Sequence, residues 1–177
     1  MKAVCVYCGS SFGSEPAYLE ATQELGTRLA EAGLKVVYGG AQVGLMGALA
    51  DAALAAGGEV EGIIPQQLVD REIAHKGLTE LHVVQTMHQR KALMAELSDA
   101  FVALPGGIGT IEELIEIFTW RQLNLHAKPL AVINTLGYYD GVVSFLDHAL
   151  QQGFLPQASR DAFTVAADPE ALLQAWA

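Results

Sequence analysis

Apolar residues along this chain follow two alternating patterns: short continuous runs, and longer segments with helical spacing. The short runs, bounded by turn residues, predict seven buried strands, near residues 3–8, 34–38, 59–64, 80–84, 99–104, 129–133 and 163–166. The helical segments predict helices between them, near residues 16–32, 44–56, 87–97, 110–125, 139–151 and 168–175. This alternation predicts an α/β fold: a Rossmann-like, doubly wound parallel sheet flanked by helices, whose ligands bind beyond the carboxyl ends of the strands.

Length and composition indicate one domain covering residues 1–177. No repeat, low-complexity tract or long linker interrupts the chain, and 51% hydrophobic residues with 17% charged residues are typical of a fold with buried strands. The longest apolar runs are well short of the roughly 18–20 residues that a membrane span needs. The start of the chain has a strand-like pattern, so we expect a cytoplasmic protein.

Candidate chemistry is concentrated in the run Leu-Pro-Gly-Gly-Ile-Gly-Thr-Ile-Glu-Glu at residues 104–113, where a predicted strand meets a predicted helix. We expect Thr110 near the N-cap of that helix. Free N–H groups and the positive end of the helix dipole favour an anion at such a turn. Three glycines would let the backbone approach a phosphate closely: Gly106, Gly107 and Gly109.

Two other interpretations of this glycine-rich turn fail on residue spacing. A dinucleotide-binding fingerprint needs glycine at position 112, where Glu112 stands, and the Gly-Lys-Ser/Thr of a P-loop is absent. A tight turn whose glutamates merely suit a helix N-terminus remains an alternative.

A second candidate segment is Met-His-Gln-Arg-Lys at residues 87–91, which begins a predicted helix. The chain has only 10 basic residues and a net charge of −10, so two adjacent cations stand out. Such a pair is commonly a solvated helix face, but beside a phosphate-binding turn it could clamp a ligand. The acidic balance argues against non-specific nucleic-acid binding, whereas a small phosphorylated ligand needs only a local positive field.

Together the two motifs resemble the LOG ("lonely guy") family, formerly labelled putative lysine decarboxylases. The signature PGGxGTxxE is present at residues 105–113, and the similarity includes residues 4–11, 38–40, 44–47, 119–120 and 137–139. The resemblance implies hydrolysis of the N-glycosidic bond of purine nucleoside 5′-monophosphates, cytokinin riboside monophosphates and/or AMP, to free base and ribose 5-phosphate. It also implies a homodimer with sites near the interface, and we expect no cofactor.

The resemblance also implies roles for particular residues. Arg90 and Glu113 match the family's catalytic pair. A fixed carboxylate can stabilise the positive charge that builds on the ribose, or orient the attacking water, and we assign this role to Glu113. Arg90 could hold Glu113, the phosphate or the departing base. The expected ligand contacts are Gly9, Ser10, Gly39, Gly40, Glu72, Met87, Arg90, Lys91, Gly106, Gly107, Ile108, Gly109, Thr110, Ile111, Glu112 and Thr119.

Cysteine and histidine spacing does not indicate a metal site. Cys5 and Cys8 form a C-x-x-C pair, but they lie in or beside a predicted strand and no second pair follows. We expect reduced thiols, with Cys8 near the nucleotide. The histidines show no metal-ligand spacing, although His88 could line the pocket: His75, His82, His88, His126 and His148.

Two rival functions follow from the same motifs. A non-catalytic nucleotide-binding module could use the same fold and turn without chemistry. An amino-acid decarboxylase would require a cofactor-bound lysine, and no lysine has a recognisable cofactor-binding setting, whether Lys2, Lys35, Lys76, Lys91 or Lys128.

Overall fold

The computed structural model describes residues 1–71 and 73–176, and its strands form one parallel sheet. The order across the sheet is β4-β3-β2-β1-β5-β6-β7, which confirms the predicted doubly wound α/β fold. The expected ligand contact at Glu72 lies outside the described residues. The strands are β1 (Ala3–Tyr7), β2 (Lys35–Tyr38), β3 (Val60–Pro65), β4 (Glu80–Val84), β5 (Ala100–Ala103), β6 (Leu130–Ile133) and β7 (Phe163–Ala166).

All six predicted helices are present, and two short helices join them. The helices are α1 (Pro16–Glu31), α2 (Gly44–Ala55), α3 (Gln66–Val69), α4 (Met87–Glu96), α5 (Ile108–Gln122), α6 (Asp140–Gln151), α7 (Gln157–Asp161) and α8 (Pro169–Trp176). Sequence periodicity missed α3, α7 and a 3₁₀ turn at Thr135–Gly137, because elements of 3 to 5 residues are too short to establish a helical repeat.

The start of α5 corrects one expectation. The N-cap is Gly107, not Thr110, because Gly107 is extended (φ −89°, ψ −156°) and its carbonyl accepts the first helical hydrogen bond, from Ile111 N–H at 3.1 Å. Thr110 therefore lies in the first helical turn, buried against Gly106. The helix also ends earlier than expected, and Asn124 just beyond it has a left-handed backbone (φ 58°).

The strand order places a crevice at β1. The helix that connects β1 to β2 and the helix that connects β4 to β5 lie on opposite faces of the sheet. The order in which strands are added to the sheet therefore changes direction between β1 and β5. In open α/β sheets this point, at the carboxyl ends of the strands, is where ligands bind. The turns that follow β1, β2 and β5 all lie at this edge, as the sequence predicts.

Both faces of the sheet are covered by apolar clusters. Alternate residues of β1 point to opposite faces, so Cys5 belongs to one cluster and Cys8 to the other. Both thiols are free.

Along the described chain, no helix has the length and apolar character needed to cross a membrane.

Candidate active site

A cavity of about 610 Å³ opens at the carboxyl ends of the central strands. It contains both halves of the candidate chemistry, the glycine-rich turn after β5 and the start of α4, which lie more than ten residues apart in sequence. Residues from five segments of the chain line it: Val6, Tyr7, Cys8, Ser10, Gly39, Ala41, Val43, Met46, Leu68, Ile73, Met87, Arg90, Gly107, Ile108, Gly109, Thr110, Glu112 and Glu113.

The turns after β1 and β5 are in direct backbone contact. Gly9 N–H donates to the Pro105 carbonyl at 3.1 Å, and the Gly9 carbonyl accepts from Met46 N–H at 3.3 Å. A β-carbon on Gly106 would lie only 2.9 Å from the Gly9 nitrogen. Glycine is therefore required at position 106, where a β-carbon would also lie 2.1 Å from Thr110 Oγ1, and the two turns form one wall of the cavity.

The N-terminus of α5 offers an anion site. Gly107 has no side chain with which to cap the helix, and no side-chain cap is formed among the described residues. The first intrahelical bond begins at Ile111, so the N–H groups of Ile108, Gly109 and Thr110 have no acceptor within the helix. These three residues line the cavity. Oriented N–H groups and the helix dipole together favour a phosphate at this position.

Arg90 is buried beneath the cavity and held at three points. Its Nε donates to the Ile63 carbonyl at 3.0 Å, and its Nη2 donates to the Gly39 carbonyl at 3.2 Å. Its Nη1 lies 3.4 Å from Glu113 Oε1. The guanidinium passes directly over Gly39, where a β-carbon would lie 1.8 Å from Nη2. Of the three roles left open by the sequence, this geometry supports holding Glu113.

Glu113 stands one turn into α5, and its carboxylate lines the cavity. Only 13% of its side chain is exposed, and this burial raises its pKa above the ordinary value for glutamate. The Arg90 guanidinium opposes that shift, while the nearby carboxylate of Glu112 reinforces it. The net pKa of Glu113 is raised, which makes this carboxylate a better proton acceptor than an exposed one.

Lys91 faces α5 rather than the cavity. Its ammonium lies 2.6 Å from Glu112 Oε1 and 3.0 Å from Glu116 Oε1. Thr119 is on the exposed side of α5, and its hydroxyl donates to the Ile115 carbonyl at 2.7 Å. Their assignment as ligand contacts stays a prediction. The same holds for four other expected contacts that do not line the cavity: Gly9, Gly40, Gly106 and Ile111.

An apolar wall faces the glycine-rich turns, and sequence motifs missed most of it. Leu68 and Ile73 come from the segment after β3, which is tied across the cavity by backbone bonds. Gln42 N–H donates to the Ile73 carbonyl at 2.8 Å, and His75 N–H donates to the Gly40 carbonyl at 2.9 Å. The sequence offers one signal for this segment: it follows a strand of the same sheet, and ligands bind beyond the carboxyl ends of such strands. The apolar side chains of the wall are Val43, Met46, Leu68, Ile73 and Met87.

A separate polar cluster lies near the starts of β3 and β4, away from the cavity. Glu61, Glu80 and His82 bring ligand-type atoms within 4.8 Å of one another, which sequence spacing had not indicated. Lys35 Nζ already lies 2.5 Å from Glu61 Oε1. Despite the opposing effect of burial, Lys35 and His82 lower the pKa of Glu61. Lys35 and His82 already occupy the Glu61 carboxylate, and none of the members of this cluster lines the cavity.

Comparisons with known proteins found relatives over most of the chain. Residues 46–176 match the protein family described as "Possible lysine decarboxylase". The chain is 50% identical over 175 residues to a cytokinin riboside 5′-monophosphate phosphoribohydrolase of Rhodococcoides fascians, covering 98% of this chain and 88% of that protein. It is 48% identical over 159 residues to the phosphoribohydrolase LOG1 of Arabidopsis thaliana, covering 90% and 75%.

Solved structures share the fold at lower identity. The protein TM1055 superposes with a TM-score of 0.76 at 24% identity, covering 99% of this chain and 98% of that one. A molybdenum cofactor carrier protein of Chlamydomonas reinhardtii superposes with a TM-score of 0.74 at 22% identity, covering 99% and 94%.

Proposed function

The chain belongs to the LOG family of phosphoribohydrolases, and we propose that its cavity hydrolyses the N-glycosidic bond of purine nucleoside 5′-monophosphates. The products are the free base and ribose 5-phosphate. One observation carries the proposal: the buried Arg90–Glu113 pair lies one helical turn beyond an uncapped helix N-terminus, in the same cavity. A phosphate at the helix start therefore brings the ribose beside a fixed carboxylate.

Phosphate binding positions the substrate. The N–H groups of Ile108, Gly109 and Thr110 bind the 5′-phosphate, which is remote from the bond that breaks. Binding energy from such a remote group holds the reacting carbon in place. An unphosphorylated nucleoside lacks this anchor, so we expect it to be a much poorer substrate.

Glu113 acts at the reacting carbon. The C1′–N9 bond breaks, its electron pair leaves with the base, and positive charge builds on the ribose. The carboxylate stabilises this charge and accepts a proton from the water whose oxygen bonds to C1′, and the departing base takes up one proton from solvent to give the neutral free base. Arg90 is a positioning residue, because its guanidinium is engaged by Glu113 and by the carbonyls of Gly39 and Ile63.

The apolar wall supports a preference for bases that carry an apolar substituent. Five apolar side chains face the turns that would hold the phosphate and ribose. An N6-prenyl group buried against them gains about 0.8 kcal/mol for each methylene removed from water. We therefore propose that AMP is a substrate, but that prenylated nucleotides are preferred by about tenfold or more in kcat/KM.

Exposed residues on α5 support a homodimer. The LOG resemblance assigns Thr119 to ligand binding, yet this residue lies outside the cavity of its own chain. Ile108 of the same helix is 86% exposed, and Leu123, the C-cap residue just after it, is 62% exposed. We propose that this face of α5 packs on a second copy, where Thr119 approaches the partner's cavity. Light scattering should give the mass of two chains, and Leu123→Glu should weaken the assembly; a monomeric, fully active wild type would contradict it.

Decarboxylation is a weaker proposal for this cavity. A pyridoxal-type cofactor needs a lysine that can form a Schiff base. Over residues 1–71 and 73–176, no lysine lines the cavity, and the nearby Lys91 ammonium contacts two glutamates.

We propose a cytoplasmic location, supported by the free thiols of Cys5 and Cys8, which suit a reducing compartment.

The Glu113→Gln variant tests the proposed mechanism. Turnover should fall by about 10²–10⁴-fold, while affinity for the nucleotide is retained, because the phosphate site is untouched. Glu116→Gln is the matched control: it removes a carboxylate one turn further along α5, outside the cavity, and should change turnover only a few-fold. Equal turnover in wild type and Glu113→Gln would refute the mechanism. Nucleotide binding without turnover in the wild type would favour the non-catalytic module.

A further inference from the structure

Two tyrosines after β6 hold the glycine-rich turn from outside the cavity. The buried hydroxyl of Tyr139 donates to the Leu104 carbonyl at 2.7 Å. The hydroxyl of the neighbouring Tyr138 donates to the Gly106 carbonyl. The carbonyl between these two, that of Pro105, accepts from Gly9 N–H. Three successive carbonyls of the turn are therefore each fixed by a donor from another part of the chain.

Fixing a carbonyl also fixes the direction of an N–H group. In a trans peptide the C=O of one residue and the N–H of the next point in opposite directions, and the described chain contains no cis peptide. The Gly106 carbonyl points to Tyr138, so the N–H of Gly107 points away from Tyr138. Gly107 lines the cavity and Tyr138 does not. The Tyr138 hydroxyl thus fixes the direction of the Gly107 N–H, which points away from Tyr138 at a residue that lines the cavity.

Tyr138 is itself firmly supported. Its ring makes edge-to-face contacts with Tyr18 of α1 at 5.5 Å and with Tyr139 at 5.2 Å between ring centroids. The backbone N–H of Tyr139 donates to Asn134 Oδ1 at 2.7 Å, which fixes the turn that carries both tyrosines. Because 41% of Tyr138 remains exposed, its hydroxyl can be removed without opening the core.

We propose that Tyr138 is a positioning residue for the 5′-phosphate, acting through the peptide between Gly106 and Gly107. The anion then receives the Gly107 N–H in addition to those at the start of α5. This role rests on the proposed function for the identity of the anion. A tyrosine that served only the fold would make no distinction between the phosphate and the base of the substrate.

Tyr138→Phe tests this role, because it removes the hydroxyl and keeps the ring stack. We expect KM for AMP and the inhibition constant of ribose 5-phosphate to rise together, by about three- to tenfold, the range for loss of one hydrogen bond. The inhibition constant of adenine should stay unchanged, as should the melting temperature. Tyr18→Phe is the matched control, since it removes a hydroxyl from the same ring stack but none bonded to the turn; it should alter none of these values.

Two results with the Tyr138→Phe variant would overturn the role of Tyr138. One is an unchanged constant for ribose 5-phosphate in Tyr138→Phe. The other is equal weakening of ribose 5-phosphate and adenine together with a lower melting temperature, which indicates a purely structural contribution. If the wild type releases no base, the proposed hydrolysis fails, but calorimetric titration of ribose 5-phosphate into both proteins still decides the role of Tyr138. Absence of ribose 5-phosphate binding to the wild type would also overturn it.

Discussion

Substituting Gly39 with alanine should separate Arg90 from Glu113 although neither of these residues is itself substituted. A β-carbon at position 39 would lie 1.8 Å from Arg90 Nη2 and 2.5 Å from the Met46 methyl carbon. The backbone of Gly39 is outside the left-handed region, so alanine causes no backbone strain. The clash is therefore relieved by moving the guanidinium, by roughly 1.5 Å if ordinary contact distances are restored.

The magnitude follows from the contacts that this shift breaks. Arg90 would lose its hydrogen bond to the Gly39 carbonyl and its 3.4 Å ion pair with Glu113. Loss of a charged hydrogen bond and a buried pair should cost about 2–4 kcal/mol of unfolding free energy. For a chain of this size, the melting temperature should fall by about 5–15 °C. Misplacing a reacting group by about 1 Å costs on the order of 100-fold in turnover.

The pH dependence of turnover gives a second readout. Arg90 lowers the pKa of Glu113, opposing the larger effect of burial. Moving the guanidinium away should raise that pKa further, so the acid limb of the rate profile should move to higher pH in Gly39→Ala. Gly141→Ala is the control, because a β-carbon there meets nothing within 4 Å. An unchanged melting temperature, turnover and acid limb in Gly39→Ala would refute the role given to Arg90.

Three further predictions concern buried polar groups. Tyr139→Phe removes the only hydroxyl donor described for the buried Leu104 carbonyl, and should lower the unfolding free energy in urea by about 1–3 kcal/mol; an unchanged value would contradict it. The unfolding free energy of the wild type should fall relative to that of Glu113→Gln as pH rises from acid to pH 8, since a carboxyl with a raised folded-state pKa loses stability as pH rises through that pKa; the same difference at both pH values would contradict it. Burial raises the pKa of Cys5 and Cys8, so mass spectrometry should find them unalkylated by iodoacetamide at pH 8 until urea is added; labelling of the folded protein would oppose this.

The fold was predictable because its signals are local. Continuous apolar runs mark the strands, and helical spacing marks the long helices, so every predicted strand and long helix is present. The error at Thr110 has a physical cause. Threonine is a preferred N-cap residue, but the extended backbone of Gly107 begins the helix three residues earlier than that preference suggests.

The site was only partly predictable because its contacts join distant segments. The glycine-rich turn and its glutamates were found from local sequence. The partners of Arg90 were not, since the carbonyls of Ile63 and Gly39 lie 27 and 51 positions away. The bond from Tyr138 to Gly106 spans 32 positions. Such pairs depend on strand order in the sheet, which periodicity does not specify.

The most direct test of the proposed hydrolysis is chromatography of the purified protein incubated with nucleotides, without added metal or pyridoxal phosphate. The substrates are AMP, isopentenyladenosine monophosphate and the two matching unphosphorylated nucleosides. We expect free base and ribose 5-phosphate from the monophosphates alone, with faster release from the prenylated nucleotide. No base release from either monophosphate, although both bind, would contradict the hydrolase and leave a nucleotide-binding module.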